Sequence, residues 1–163
     1  MDESALCLRP LVEADLPALS AIQREAFDED SLLHLGRRGG PEGYDDGSFL
    51  RRWALHPDAT ALTVELDGRI AGGVILFLRE AAGEGFLGCL FLSPALRGQG
   101  LGLRVWRAVE SRYPAVRCWR TETPAFSHRN HHFYINKCGF QVVAITDPKD
   151  WENAQFQLCK RLA

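Results

Sequence analysis

The chain has 163 residues, 46% hydrophobic and 25% charged, with a formal net charge of −2. That length suits a single domain over 1–163, and so small a net charge gives no overall electrostatic reason to expect nucleic acid as a partner. The five cysteines (Cys7, Cys89, Cys118, Cys138, Cys159) form no C-x-x-C pair, no apolar run approaches a membrane span, and Met1-Asp2-Glu3-Ser4 lacks the basic and apolar parts of a signal peptide, so a reducing, cytoplasmic setting with no membrane is expected.

In chain order, Ala5 to Arg9 reads as a short strand. Asp15 is placed to cap a helix, with Pro17 in its first turn and Leu16, Leu19, Ile22 and Phe27 near helical spacing. Glycines and charges from Asp28 to Gly47 predict a loop. Ser48 to Leu55 predicts a helix with Phe49, Leu50 and Trp53 inward, ending before Pro57. Ala61 to Leu66 and Arg69 to Leu78 predict a hairpin, because Asp67-Gly68 suits a turn with two positive φ angles. Phe86 to Leu92 is nearly unbroken apolar and predicts a central strand covered on both faces. A helix then runs from the glycines near residue 100 to about Tyr113. Val116 to Thr121 predicts a strand, and Phe126 to Lys137 a helix ended by Gly139. Phe140 to Ile145 and Gln155 to Leu162 complete the sheet. The sum is an α/β (α+β) fold, with helices on both faces of a mixed, mostly antiparallel sheet.

The stretch Arg97-Gly98-Gln99-Gly100-Leu101-Gly102 lies between the central strand and the next helix. Main-chain N–H groups in such a turn, joined to the free N–H groups of a helix start, suit phosphate oxygens. A nucleotide P-loop is rejected, because Leu103 and Arg104 follow where Lys and Ser or Thr are required. A dinucleotide fingerprint fits poorly: the glycines read G-x-G-x-G, and Ser93 to Arg97 separate them from the strand, although Glu122 lies near the place of a ribose-binding acid. The residues alone leave open that site, a coenzyme A site, and a plain tight turn.

The Arg97 to Gly102 stretch resembles the R/Q-x-x-G-x-G/A signature of GNAT-fold N-acetyltransferases. Asn130-His131-His132-Phe133-Tyr134-Ile135-Asn136-Lys137-Cys138-Gly139-Phe140 is similar to that family's N-x-x-x-F/Y-Y-x-x-x-G-F segment. Leu8-Arg9-Pro10 and Asp15-Leu16 resemble its first strand and helix. The resemblance implies a GNAT-like domain in which two central strands, Phe86 to Leu92 and Val116 to Thr121, splay to admit acetyl-CoA. It implies a pyrophosphate cradle from Arg97, Gly98, Gln99, Gly100, Leu101 and Gly102, and a pantetheine arm bonded along the backbone of Leu90 and Leu92. It further places Asn130, Phe133 and Lys137 at the cofactor and gives Tyr134 the role of general acid toward the departing thiolate.

Forming an amide from a thioester also requires a neutral amine. An alkyl ammonium near pKa ~10.4 must lose a proton to a base or a proton wire. Many relatives carry a central-strand glutamate, but Cys89, Leu90 and Phe91 stand in that region here. Glu122 on the neighbouring strand is the substitute, Glu65 a weaker one, and ordered water an alternative. The family layout puts the amine acceptor in the Phe27 to Trp53 region, with Asp28, Glu29, Asp30, Glu42, Asp45 and Asp46 as attractors and Tyr44 and Trp53 as an aromatic wall. His128, His131 and His132 read as a solvent-facing face, His34 and His56 as surface residues, and no metal is expected. The implied function is N-acetyl transfer from acetyl-CoA to a small-molecule or peptide amine, by a monomer or homodimer. The alternative is a non-catalytic acyl-CoA sensor on the same fold.

Overall fold

The computed structural model describes residues 4–163. Strand β1 spans Leu6–Pro10, helix α1 Leu16–Leu35, α2 Ser48–Trp53, β2 Ala59–Leu66, β3 Arg69–Arg79, β4 Glu84–Leu92, α3 Leu101–Arg112, β5 Cys118–Pro124, α4 His128–His131, β6 Gln141–Thr146 and β7 Gln155–Arg161. The seven strands form one sheet in the order β1-β2-β3-β4-β5-β7-β6. Among the described residues only the β4–β5 pair is parallel; the other pairings are antiparallel.

Two apolar layers clamp the sheet. On one face Leu16, Leu19 and Leu50 from α1 and α2 meet Ile75, Cys89 and Phe91. On the other, Val105, Trp106 and Val109 of α3 pack with Leu87, Trp119 and Phe140. Trp106 and Trp119 are buried and meet edge to face at 5.1 Å. The uninterrupted apolar character of β4 thus reflects two covered faces.

The Asp67-Gly68 turn has the expected positive φ angles, 51° and 78°. Three expectations are corrected. The loop drawn from Asp28 to Gly47 is helical as far as Leu35; Asp28 and Asp30 stand one turn from Arg24 and His34, while Ser31 faces inward. Gly36, at φ 72°, ends that helix. Asp15 makes no cap bond to α1; its carboxylate takes both guanidinium nitrogens of Arg9 at 2.8 Å, the Val12 N–H and the Thr63 hydroxyl. The helix expected from Phe126 starts at His128, capped by the Ser127 hydroxyl, and becomes π-helical over His132–Lys137, with Cys138 N–H donating to the Phe133 carbonyl. Gly139, at φ 89°, follows.

Strands β4 and β5 pair only from Glu84↔Cys118 to Leu87↔Thr121. The Thr121 hydroxyl donates to the Leu87 carbonyl at 2.8 Å. Beyond it the strands part, and the β3–β4 register slips so that Ile75 faces Cys89 while Leu76 faces Leu87, leaving Gly88 as the extra residue of a bulge. Past the bulge, Ser93 N–H bonds the Ala71 carbonyl. By antiparallel alternation Phe91 is then also bonded to β3, and the main-chain groups of Leu90 and Leu92 face the opening.

Candidate active site

Two cavities meet at this opening. The first, about 480 Å³, lies between the glycine turn, the outer half of β4 and the π turn. Gly98 and Gly100 have φ of 84° and 68°, conformations that side-chain-bearing residues rarely adopt. An added Cβ at either would meet no protein atom within 4 Å, so backbone conformation and not crowding calls for glycine there. Gly102 differs: its Cβ would come 2.9 Å from the Phe133 ring. The N–H groups of residues 98–103 make no hydrogen bond among the described residues. Those of Gly98, Gly100, Leu101, Gly102 and Leu103 belong to residues at the cavity wall, at the start of the 12-residue α3, with the partial positive charge of a helix N-terminus behind them. Arg97, Arg129 and Lys137 line the same cavity, and none of its lining residues is acidic. Glu29 of α1 bridges Arg97 at 3.0 Å and Arg129 at 3.2 Å, tying the turn to α4.

Tyr134 closes the inner end of this cavity. It is 8% exposed and packed against Phe133 and Phe140. Its hydroxyl makes no hydrogen bond among the described residues, which leaves a donor at the cavity wall. Burial, then nearby Cys89 and Cys138, push the phenol well above its ordinary value, so it carries its proton at neutral pH. Asn130, one turn earlier, is the residue that lines both cavities.

The second cavity, about 690 Å³, lies on the α1–α2 side of the gap. Its wall includes Phe27, Phe49, Trp53, Phe77, Phe86 and Phe126, with Cys89 and Gly88 from the bulged strand and Glu122 from β5. Cys89 is buried, and burial pushes its thiol up to about 12. It therefore stays a neutral thiol at pH 7 and is a poor nucleophile or base.

The structure brings together Leu90, Leu92, Arg97, Gly98, Gly100, Leu101, Gly102, Asn130, Phe133, Tyr134 and Lys137 around the first cavity. Gln99 is exposed and does not line it. Glu122 lies in the second cavity, joined to the first through Asn130. Glu65 is removed as a base, because Arg9 holds its carboxylate at 2.6 Å. Among the anticipated acids only Asp30 lines the second cavity; Asp28 accepts from the Tyr44 hydroxyl at 2.7 Å, and Asp46 is taken by Ser48. Trp53 supplies aromatic wall, while Tyr44 turns away onto Phe27. His131 is not solvent-facing: its ring stacks on Phe156 at 4.4 Å, its Nε2 meets the Pro124 carbonyl, and burial lowers its pKa. His34 is likewise enclosed, beside Asp30 and His128. Among the described residues no three His, Cys, Asp or Glu side chains are grouped to hold a metal.

Sequence reasoning missed Arg129 as a wall residue, and Phe77, Phe86 and Phe126 in the second cavity; His132, read as part of a histidine face that could touch cofactor or substrate, lines the first cavity. Arg129 precedes Phe133 by one helical turn, which was a usable signal. The convergence of the three phenylalanines depends on sheet topology and had none.

A model of the acetyltransferase (GNAT) family matches residues 19–140. An uncharacterized Bacillus subtilis protein, YrkN, is 32% identical over 143 residues, covering 87% of this chain and 76% of that protein. The PaiA N-acetyltransferase of Thermoplasma acidophilum, solved in complex with coenzyme A, aligns at a TM-score of 0.74 and 18% identity over 96% of this chain and 99% of its own. The Escherichia coli ribosomal-protein-S18-alanine N-acetyltransferase aligns at 0.71 and 16% identity, covering 98% and 95%. The Vibrio cholerae spermidine N-acetyltransferase, solved with CoA and spermine, aligns at 0.68 and 16% identity, covering 96% and 95%. At such identities the structures establish a shared fold. The family match, extending over most of the chain, shows that it belongs to the acetyltransferase (GNAT) family.

Proposed function

We propose that this family member transfers an acetyl group from acetyl-CoA to a primary amine by direct attack on the thioester. The observation that carries the reading is the parting of β4 and β5 between an anion cradle and a second cavity. The N–H groups of Gly98 and of residues 100–103 would hold the pyrophosphate, with Lys137 adding charge and Arg97 and Arg129 sharing theirs with Glu29. Leu90 and Leu92 would bond the pantetheine amides as an added strand does. That a fold neighbour, PaiA, was solved in complex with coenzyme A supports CoA as the ligand class.

In the reaction, the amine nitrogen forms a C–N bond to the acetyl carbonyl as the C–S bond breaks, and the proton lost by nitrogen balances the one gained by sulfur. An alkyl ammonium near pKa ~10.4 is deprotonated at pH 7 at a cost of about 4–5 kcal/mol. Glu122, free of any ion pair among the described residues, would take that proton directly or through water. Tyr134 would donate a hydrogen bond from its hydroxyl to the departing sulfur. Because burial holds the phenol up, full transfer from it to a thiolate of ordinary pKa is uphill, so its contribution is chiefly a hydrogen bond that strengthens as negative charge develops.

A second reading, a non-catalytic acyl-CoA sensor, draws support from the neutral Cys89 beside the gap where a central-strand carboxylate would otherwise serve. Calorimetric titration with acetyl-CoA, with NAD and ATP as controls, tests the shared premise; an assay for free thiol across an amine panel separates the two. Selective acetyl-CoA binding with thiol release supports transfer, and binding without release supports the sensor. A well-folded protein that does not bind acetyl-CoA would remove both.

A further inference from the structure

We infer that the acceptor is a monoamine carried on an aromatic or similarly apolar body, an inference that rests on the acetyl-transfer reading above. Three observations converge. The second cavity draws aromatic rings from five places in the chain: Phe27 of α1, Phe49 and Trp53 of α2, Phe77 of β3, Phe86 of β4, and Phe126 after β5. Trp53 and Phe77 stand edge to face at 6.4 Å, giving two walls set at a steep angle. At about 690 Å³ the space falls within the range of small-molecule sites and can take a ring system with a short side chain.

The charges at that cavity are already paired, with one exception among the acids. Asp30 accepts from the Ser127 hydroxyl at 3.1 Å and from Arg129 at 3.5 Å, with His34 at 3.4 Å. Glu152 is held by Arg37 at 2.6 Å. The Glu122 carboxylate has no hydrogen bond and no ion pair among the described residues. Arg38 lines the same cavity, also without a partner among them. One ammonium therefore meets one free carboxylate. A polycation would place its further charges near Arg37 and Arg38 with no second uncommitted acid to receive them. Like charge and a desolvated extra ammonium both weigh against it.

The position of Glu122 completes the argument. It lies one residue beyond Thr121, the last residue of β5 paired with β4, and it shares a cavity with Cys89 and Asn130 at the junction. An ammonium docked on this carboxylate sits at the mouth of the gap, while its apolar body rests among the rings.

The test uses the full chain with coenzyme A present. Calorimetry on the CoA-saturated protein gives Kd for phenethylamine, tryptamine, spermidine, kanamycin and an alanyl peptide; free-thiol release with acetyl-CoA gives kcat/KM for each. Phenethylamine and tryptamine are expected to bind, and to turn over, at least tenfold better than the others. Glu122→Gln, at an exposed position, is expected to weaken phenethylamine binding at least tenfold while leaving acetyl-CoA affinity within twofold. Trp53→Ala is expected to weaken tryptamine more than the alanyl peptide. Preference for spermidine, kanamycin or the peptide would overturn the inference, as would an unchanged phenethylamine Kd in Glu122→Gln. Acetyl-CoA affinity, measured on the same preparation, keeps the two claims apart. Its absence brings down the transfer reading, whereas its presence without an aromatic preference brings down this inference alone.

Discussion

Tyr134→Phe separates chemistry from folding, because it deletes one oxygen from a residue that is only 8% exposed. That oxygen has no hydrogen-bond partner among the described residues, so the substitution orphans no buried group. The ring keeps its packing on Phe133 and Phe140. Stability should therefore change by no more than about 1 kcal/mol. Turnover should not be spared. Losing one preorganised donor at a site of developing charge costs about 2–4 kcal/mol, or roughly 30- to 1,000-fold in kcat. The acetyl-CoA Kd should stay within about twofold, since the proposed cradle is main chain. Burial first, and the neighbouring Cys89 and Cys138 after it, raise the phenol above its ordinary value. Tyr134 therefore gives the wild-type kcat no falling limb between about pH 6 and pH 9. By the same sign, the folded state is destabilised only above pH ~10, where the unfolded chain ionises this tyrosine and the folded one resists; phenylalanine lacks that loss. Free-thiol release, calorimetry and thermal melts read these quantities. Equal kcat in the two proteins would refute the role given to Tyr134.

Gly100→Glu should leave the protein folded, because its side chain enters open space and only the left-handed conformation costs about 1–2 kcal/mol. Its carboxylate beside the donor set should weaken acetyl-CoA at least about 100-fold; an unchanged isotherm would defeat the cradle. Gly102→Ala acts differently, pressing Cβ to 2.9 Å from the Phe133 ring. The overpacking should cost about 1–3 kcal/mol and be partly relieved by adding Phe133→Leu, as melts of the single and double variants would show. Asp15→Asn tests the structural ion pair. The Arg9 guanidinium, outweighing desolvation by burial and helped by the Val12 N–H and the Thr63 hydroxyl, holds this carboxyl below the usual carboxylate range. Its lowered pKa gives stability that is present above the unfolded value of ~3.9 and lost as pH falls toward the folded value. The variant should lose about 2–3 kcal/mol at pH 7 and show a flatter decline between pH 4 and pH 2.5; parallel acid profiles would argue against it.

Much of this fold was legible because its signals are local. The Asp67-Gly68 turn, the apolar β4 and the glycine turn before α3 each depend on a few adjacent residues. The acidic stretch after Phe27 misled, because Asp28 and Asp30 look like loop residues until their one-turn partners Arg24 and His34 are counted. Asp15 misled in the opposite way. It has a capping residue's identity and place, but a guanidinium from β1 and a hydroxyl from β2 claim its oxygens. At the site, the turn and the Asn130 to Tyr134 segment could be read from their motifs, which sit on single elements. The Glu29 bridge and the ring of phenylalanines could not, since each joins elements far apart in sequence.

The parted strands carry a physical demand of their own. At the closed end, Gly85 leaves room for the buried Trp119 ring, which an added Cβ would meet at 2.6 Å, and the Thr121 hydroxyl ties down the Leu87 carbonyl. Past that point the outward main-chain groups of Leu90 and Leu92 have no strand to bond. Each would cost about 1–3 kcal/mol if left dry, so the gap must hold either water or an extended chain of amides. Acetyl-CoA should supply the latter, raising stability by about 2.7 kcal/mol at a hundredfold excess over Kd. The gain should be local in a way that hydrogen exchange can resolve. Amides of Leu90 and Leu92 should slow markedly on binding, as should those of residues 98–103. The Phe91 amide, already in the ladder to β3, should change no more than the rest of the sheet. Equal slowing at residues 90, 91 and 92 would mean that ligand tightens the whole sheet and does not add a strand in the gap.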